Sequence, residues 1–308
     1  MPEAVMRAIR YHETGSPEVL VLEDVPRPQP GPGEVLVRVH AAGVNPADTM
    51  SRRGIRTPPL PVTPGYDLAG RVESVGSGVD GFSVGEPVFG MGSETYAEYA
   101  VAPAKTLAAK PQILSFVEAA AVGMAVRTAW SALFGPADLK QGQRVLIHGA
   151  AGGVGLVAVQ LAKWKGAEVI GTCSAANVDL VRSLGADQVI DYNDTQFEKV
   201  VRDVDVVLDG VGEDIADRSW SVIKPGGILM FIIGRPSPEA AEAHGVRLAR
   251  ADVADAPPDF MQRAADLIAQ GKLRLQVRQV FPLEDASKAH ALSETRHGAG
   301  RIVLQVAD

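Results

Sequence analysis

Arg144-Val-Leu-Ile-His-Gly-Ala-Ala-Gly-Gly-Val-Gly-Leu-Val-Ala-Val-Gln-Leu-Ala162 is the stretch whose reading decides the fold. It opens with an apolar run of strand length, Arg144 to His148, and breaks on Gly149, Gly152, Gly153 and Gly155. Val154, Val157, Ala158, Leu161 and Ala162 then keep the i, i+3, i+4, i+7, i+8 spacing of one helix face. Strand, glycine turn and helix in direct succession are the opening of a βαβ unit. The span Val145 to Ala162 carries no formal charge and reaches the nominal length of a membrane helix. Four glycines in its first half argue against one continuous helix, so no membrane insertion is expected.

Outward from this unit, Glu168–Cys173, Gln188–Ile190, Asp205–Leu208 and Ile228–Ile233 are further apolar runs of strand length separated by helical texture. Such runs are expected of a parallel sheet covered on both faces. Lys224-Pro225-Gly226-Gly227 marks a sharp turn into the last of them. Upstream the texture is β-rich: Glu34 to His40 alternates apolar and polar, and Gly76, Gly78, Gly81 and Gly85 punctuate Val72 to Val88. Alternation returns in Leu275–Phe281 and Arg301–Val306. The expected organisation is α/β with two domains, a β-rich one over 1–125 completed by 270–308 and a doubly wound parallel one over 126–269.

Thirty Lys and Arg against 37 Asp and Glu give a net charge of −7, and no basic run is present, so no nucleic-acid partner is expected. One cysteine, Cys173, excludes an intrachain disulfide, and Met1 to Arg7 lack the basic-then-apolar pattern of a secretory signal. A cytoplasmic location is expected.

In the pattern G-x-G-x-x-G, Ala150 stands for the first glycine, and Gly152 and Gly155 for the other two. Gly152 lets backbone approach a pyrophosphate, and Gly155 permits close helix–strand packing. The helix start across Gly153 and Val154 offers unpaired N–H groups and a partial positive charge. The candidate cofactor seat is therefore Ala150, Gly152, Gly153, Val154 and Gly155. An NAD-specific site commonly carries an acid about 20 residues on, bonding the ribose 2′-hydroxyl. Here that place reads Gly171-Thr172-Cys173-Ser174. Without an acid a 2′-phosphate is tolerated, and Ser174 can accept it, which favours NADPH; Ser174 fits a helix cap equally well.

The chain resembles the zinc-independent quinone oxidoreductase (zeta-crystallin-like) branch of the medium-chain dehydrogenase/reductase superfamily. The likeness spans nearly its whole length. It rests on Ala42-Gly43-Val44-Asn45-Pro46-Ala47-Asp48, Pro64-Gly65-Tyr66-Asp67-Leu68-Ala69-Gly70, Val75-Gly76-Ser77-Gly78, the glycine loop, Leu184-Gly185-Ala186-Asp187, Lys224-Pro225-Gly226-Gly227 and Gly300-Arg301-Ile302-Val303-Leu304. The resemblance implies a GroES-like β domain and a Rossmann domain, with the active site in a cleft between them. It also implies hydride transfer from NADPH to a quinone or an α,β-unsaturated carbonyl.

By the same resemblance Asn45 and Thr128 lie near the nicotinamide, Ser174 and Tyr192 near the adenosine phosphate, and Gly234 and Arg301 beside the cofactor. Asn45 and Tyr66 are the catalytic candidates, Tyr66 as a donor to the substrate carbonyl or equally as a packing residue. Zinc-dependent relatives carry Cys where this chain has Asn45 and Gly-His-Glu where it has Gly65-Tyr66-Asp67. One cysteine builds no catalytic or structural zinc site, so no metal is expected, and His148 reads as a strand-end residue. Two positions depart from the relatives: Asn177 replaces a Lys, and Val122-Gly123-Met124 replaces a Leu-Pro pair.

A homodimer is a further expectation, with Ile228–Ile233 as its pairing edge. The rival reading on this scaffold is an enoyl reductase acting on a thioester or polyketide intermediate, for which Arg52, Arg53, Arg56, Arg247 and Arg250 are the available basic residues, most simply scattered over the surface. A non-catalytic NADPH-binding protein is the reading from another class.

Overall fold

The computed structural model describes residues 4–55, 59–212 and 214–307. Its chain forms two compact units, one from Met1–Met124, Met261–Gln270 and Leu275–Asp308, the other from Ala125–Phe260 and Gly271–Arg274. The sequence boundary at 269 moves accordingly: 261–270 folds with the first unit, and 271–274 with the second.

The first unit is built on a seven-stranded sheet. Val277–Pro282, Arg301–Gln305, Glu34–Val44, Asp67–Val75, Pro87–Met91 and Leu107–Ala109 follow one another in space, and Tyr99–Pro103 also pairs with the long strand Glu34–Val44. All pairings are antiparallel except that of Val277–Pro282 with Arg301–Gln305. Alternation along Glu34–Val39 sends Val35, Val37 and Val39 into a core with Leu68, Val72, Tyr96 and Leu304, while Arg38 faces water. Leu36, on the opposite phase, is buried as well, so this strand is covered on both faces there.

The second unit is a six-stranded sheet, parallel throughout. Its order is Gln188–Asp191, Glu168–Cys173, Arg144–His148, Val204–Asp209, Ile223–Phe231, Arg247–Arg250. Strand order reverses at Arg144–His148, the first strand in sequence, so the crevice outside its carboxyl end is the topological switch point. Val204–Asp209 is buried at every position, as a central parallel strand requires. Leu146, Ile170, Ile190, Val207, Leu229 and Trp220 share one core, each aliphatic contributing roughly 1.5–3 kcal/mol by leaving water. The uncharged stretch 145–162 is strand, turn and helix, and no described helix is long and apolar enough to cross a membrane.

Two expectations are corrected here. Ile228–Ile233 is not an edge: the strand runs Ile223–Phe231 and pairs on both sides, with Val204–Asp209 and with Arg247–Arg250. The outermost strand on this side is Arg247–Arg250. Arg52, grouped among surface arginines, is fully buried, where it donates to Gly15 O at 3.1 Å and pairs with Glu294. Arg56 lies outside the described residues.

Candidate active site

Within the second unit the candidate cofactor residues gather at the carboxyl ends of three adjacent strands. Helix Gly153–Lys165 starts directly after the loop, with Gly152 as its N-cap. Its first N–H groups have no residue one turn earlier to bond. A Cβ on Gly155 would lie 2.1 Å from Gly149 O, so only glycine lets the helix seat this close to the strand end. A Cβ on Gly152 would meet only Gly149 O, at 3.2 Å, and so would project into the open mouth of the loop. That open, N–H-lined concavity fits a pyrophosphate. Ala150 is fully buried and donates its N–H to Thr172 O at 2.9 Å, so it shapes the loop from beneath. Its methyl fits because the facing residue is Gly171: a Cβ there would come within 2.9 Å of it.

Ser174 follows strand Glu168–Cys173, and Tyr192 follows the neighbouring Gln188–Asp191, whose Asp191 is in register with Cys173. Asn177 turns back and donates from Nδ2 to Ser174 Oγ at 3.0 Å. The hydroxyl's lone pair is thereby occupied while its O–H stays available as a donor. Tyr192 is half exposed and donates its backbone N–H to Cys173 O. The nearby carboxylate of Asp191 is turned onto Asn193, accepting from its N and Nδ2 at 3.0 and 3.2 Å. Burial, then the charge of Asp191, pushes the Cys173 thiol up to about 11, which leaves it unreactive.

On the other side of the glycine loop, Asp209 ends its strand fully buried, accepting Val211 and Gly212 N–H on Oδ1 at 2.9 Å each. Gly234, with φ of 87°, brings its loop against Gly212. Thr128 is buried on helix Gly123–Phe134. His148 is a packed strand-end residue, with Nδ1 3.1 Å from Thr172 Oγ1 and Nε2 3.3 Å from Ser219 Oγ; burial holds its pKa down at about 3.

The first unit holds a separate buried cluster. Asn45 caps helix Pro46–Arg52 and is 1% exposed. Its Nδ2 donates to Asp67 Oδ2 at 3.1 Å, and its Oδ1 accepts from Arg301 Nη2 at 2.7 Å. Both ends of the carboxamide are engaged, so in this arrangement Asn45 clamps Arg301 against Asp67. Asp67 also accepts Arg301 Nη2 at 2.7 Å and, on Oδ1, the N–H of Met124 at 2.6 Å. Burial raises the Asp67 carboxyl, against the opposing pull of Arg301 and Asn45.

Beneath it, Asp48 accepts Asn45 N at 2.8 Å, Gly65 N at 3.1 Å and Tyr96 O–H at 3.3 Å, and burial pushes it up to about 7. Tyr66, 39% exposed, stands beside this cluster in sequence. Asp67 and Asp48 were not singled out from the sequence, although Asp67, directly before the apolar Leu68-Ala69, was an available signal. Among the described residues no group of three or more His, Cys, Asp or Glu is placed to hold a metal ion.

The chain is matched by two family models, the alcohol dehydrogenase GroES-like domain over 31–112 and the zinc-binding dehydrogenase over 184–304. It is 35% identical to the quinone oxidoreductase of Mus musculus, covering 97% of this chain and 96% of that one. Against the chloroplastic NADPH-dependent alkenal/one oxidoreductase of Arabidopsis thaliana it is 34% identical, over 97% of this chain and 79% of that protein. The solved structure of a mycobacterial protein complexed with NADPH superposes with a TM-score of 0.90 at 35% identity, over 98% of this chain and all of that one. With GroES-like and Rossmann folds in one chain and relatives of this identity along its whole length, the protein is an oxidoreductase of the quinone oxidoreductase branch of the medium-chain dehydrogenase/reductase superfamily.

Proposed function

We propose that this protein is an NADPH-dependent, zinc-free reductase of quinones or α,β-unsaturated carbonyls. The observation that carries the cofactor is the cradle at the switch point: an open glycine loop with free helix N–H groups, flanked by Ser174 with no acid following its strand. Gly153 and Val154 N–H groups would hold the pyrophosphate, and Ser174 and Tyr192 hydroxyls would take the 2′-phosphate. Gly234, near Gly212, lines the far side. When bound, the cofactor supplies the hydride. The chain's own work is to bind it, to orient it and to exclude water. Tyr66 is the candidate donor to the acceptor's oxygen, where charge develops.

Zinc does not fit the residues present. A carboxamide and a carboxylate already neutralised by Arg301 make a poor ligand pair, and the chain's one cysteine, Cys173, is a buried thiol on a strand of the second unit. An acceptor that is already electrophilic needs no metal. NADPH relatives support the reading, as does the alkenal/one activity named for one of them.

Loss of reduced-nicotinamide absorbance with a benzoquinone or a simple enone tests it, with NADPH and NADH run side by side and zinc measured in the same sample. Turnover that favours NADPH by roughly tenfold or more is expected. No oxidation with any acceptor, or stoichiometric zinc, would overturn it.

A further inference from the structure

The second unit carries a cavity of about 500 Å³ away from the cradle, within the range that holds a small molecule. It is lined from the carboxyl-terminal half of helix Gly153–Lys165 by Gln160, Lys163 and Trp164, and from the segment Gly271–Arg274 by Lys272 and Arg274. Ten residues of helix, about 15 Å, separate Gly153 from Lys163, so this is a different end of the unit from the glycine loop.

The chain builds this wall deliberately. Buried Gln160 grips Arg274 at both backbone groups, its Oε1 accepting N–H at 2.8 Å and its Nε2 donating to the carbonyl at 3.0 Å. Leu273 is buried as an anchor, and the residues on either side, Lys272 and Arg274, are turned outward. No carboxylate lines the cavity. Asp187, just outside, pairs with Lys163 at 2.5 Å and leaves the other two cations without a carboxylate partner among the described residues. In a chain of net charge −7 this is a local reversal of sign. Trp164 is 43% exposed, its ring backed by Trp130 at 5.9 Å and Phe134 at 6.2 Å, which fixes a flat apolar wall beside the cations.

We propose that this cavity binds a nucleoside polyphosphate, with the base on Trp164 and the phosphates on Lys272 and Arg274. Cations meet phosphate oxygens by charge-assisted hydrogen bonds, and an indole supplies a face for any base.

Calorimetric titration of ADP into protein saturated with NADP⁺, so that the glycine loop is filled, tests it. A saturable second site is expected, weakened at least tenfold in the Lys272→Gln/Arg274→Gln pair. Trp164→Ala should weaken ADP while leaving inorganic pyrophosphate unchanged. Unaltered NADP⁺ affinity in each variant shows that the unit is intact. Should NADP⁺ itself fail to bind, ADP is titrated directly, and the same dependence on Lys272 and Arg274 still supports the site. No second site, or one indifferent to the paired substitution, overturns the proposal.

Discussion

Arg301 Nη2 lies 2.7 Å from Asp67 Oδ2, and both side chains are buried. An ion pair taken out of water gains little net stability, but removing one partner leaves the other charge stranded. Asp67→Asn should therefore destabilise the chain by about 3–5 kcal/mol in denaturant unfolding. Removing both charges with Asp67→Asn and Arg301→Gln should recover part of that loss. A double variant as unstable as the sum of the two single ones, to within about 0.5 kcal/mol, would refute the coupling.

Gly152 and Gly155 should separate on substitution. Gly155→Ala puts a methyl carbon 2.1 Å from the Gly149 carbonyl oxygen, far inside van der Waals contact, and is expected to cost at least about 3 kcal/mol, with loss of cofactor binding. Gly152→Ala should change stability by under about 1 kcal/mol yet weaken NADPH roughly tenfold or more, because its methyl fills the loop mouth. Thermal unfolding set beside cofactor titration distinguishes the two.

Cofactor choice should follow Ser174 and Asn177. Ser174→Asp places a carboxylate where the 2′-phosphate is proposed to sit, and is expected to reverse the preference towards NADH. Asn177→Lys adds a cation there, and NADPH should bind about tenfold tighter with NADH unchanged. The ratio of the two dissociation constants reads both effects.

Two buried histidines and one buried acid oppose each other in pH dependence. His148 and His290 have folded pKa values of about 3, below the usual 6.5, because burial disfavours their charged forms. In that window the unfolded chain binds more protons, so the stability they contribute is present above 6.5 and lost as pH falls towards 3. Asp48, raised by burial to about 7 from 3.8, acts with the opposite sign: its contribution is present at low pH and lost as pH rises from about 4 through 7. His290→Gln should flatten the acid side of the stability profile by up to about 1.4 kcal/mol per pH unit, and Asp48→Asn should steepen it. Unfolding free energies at pH 4, 5 and 6 check both; parallel profiles would refute the assignment.

The parallel sheet was legible because its strands are apolar on both faces and its loop carries glycine at fixed offsets. Arg247–Arg250 was missed for the complementary reason: at the sheet edge, one side facing water, Arg-Leu-Ala-Arg has neither a long apolar run nor clean alternation. Within the candidate site, Ser174 follows from a strand end that the sequence marks, and Tyr192 was carried only by the family resemblance. Asp67 did not, since its partners Asn45, Met124 and Arg301 lie 22, 57 and 234 residues away, and no local pattern encodes such a meeting. Arg52 misled in the same way, because an arginine's long polar side chain reads as surface until a carboxylate, the partly exposed Glu294, is found opposite it.

The contact between Ala150 and Gly171 gives the cofactor loop a rule of its own. Space under the loop admits one methyl from this pair: a Cβ at 171 would lie 2.9 Å from that of Ala150 and 3.1 Å from Val181 Cγ1. Restoring glycine at 150 alone would leave a void, and adding alanine at 171 alone would force the loop upward into the pyrophosphate's place. Exchanged together, the two substitutions should cost less than Gly171→Ala alone, the contact with Val181 being what remains. What the fold holds constant at this point is a volume shared by two positions, and a loop that looks one glycine short is complete once its neighbour is counted.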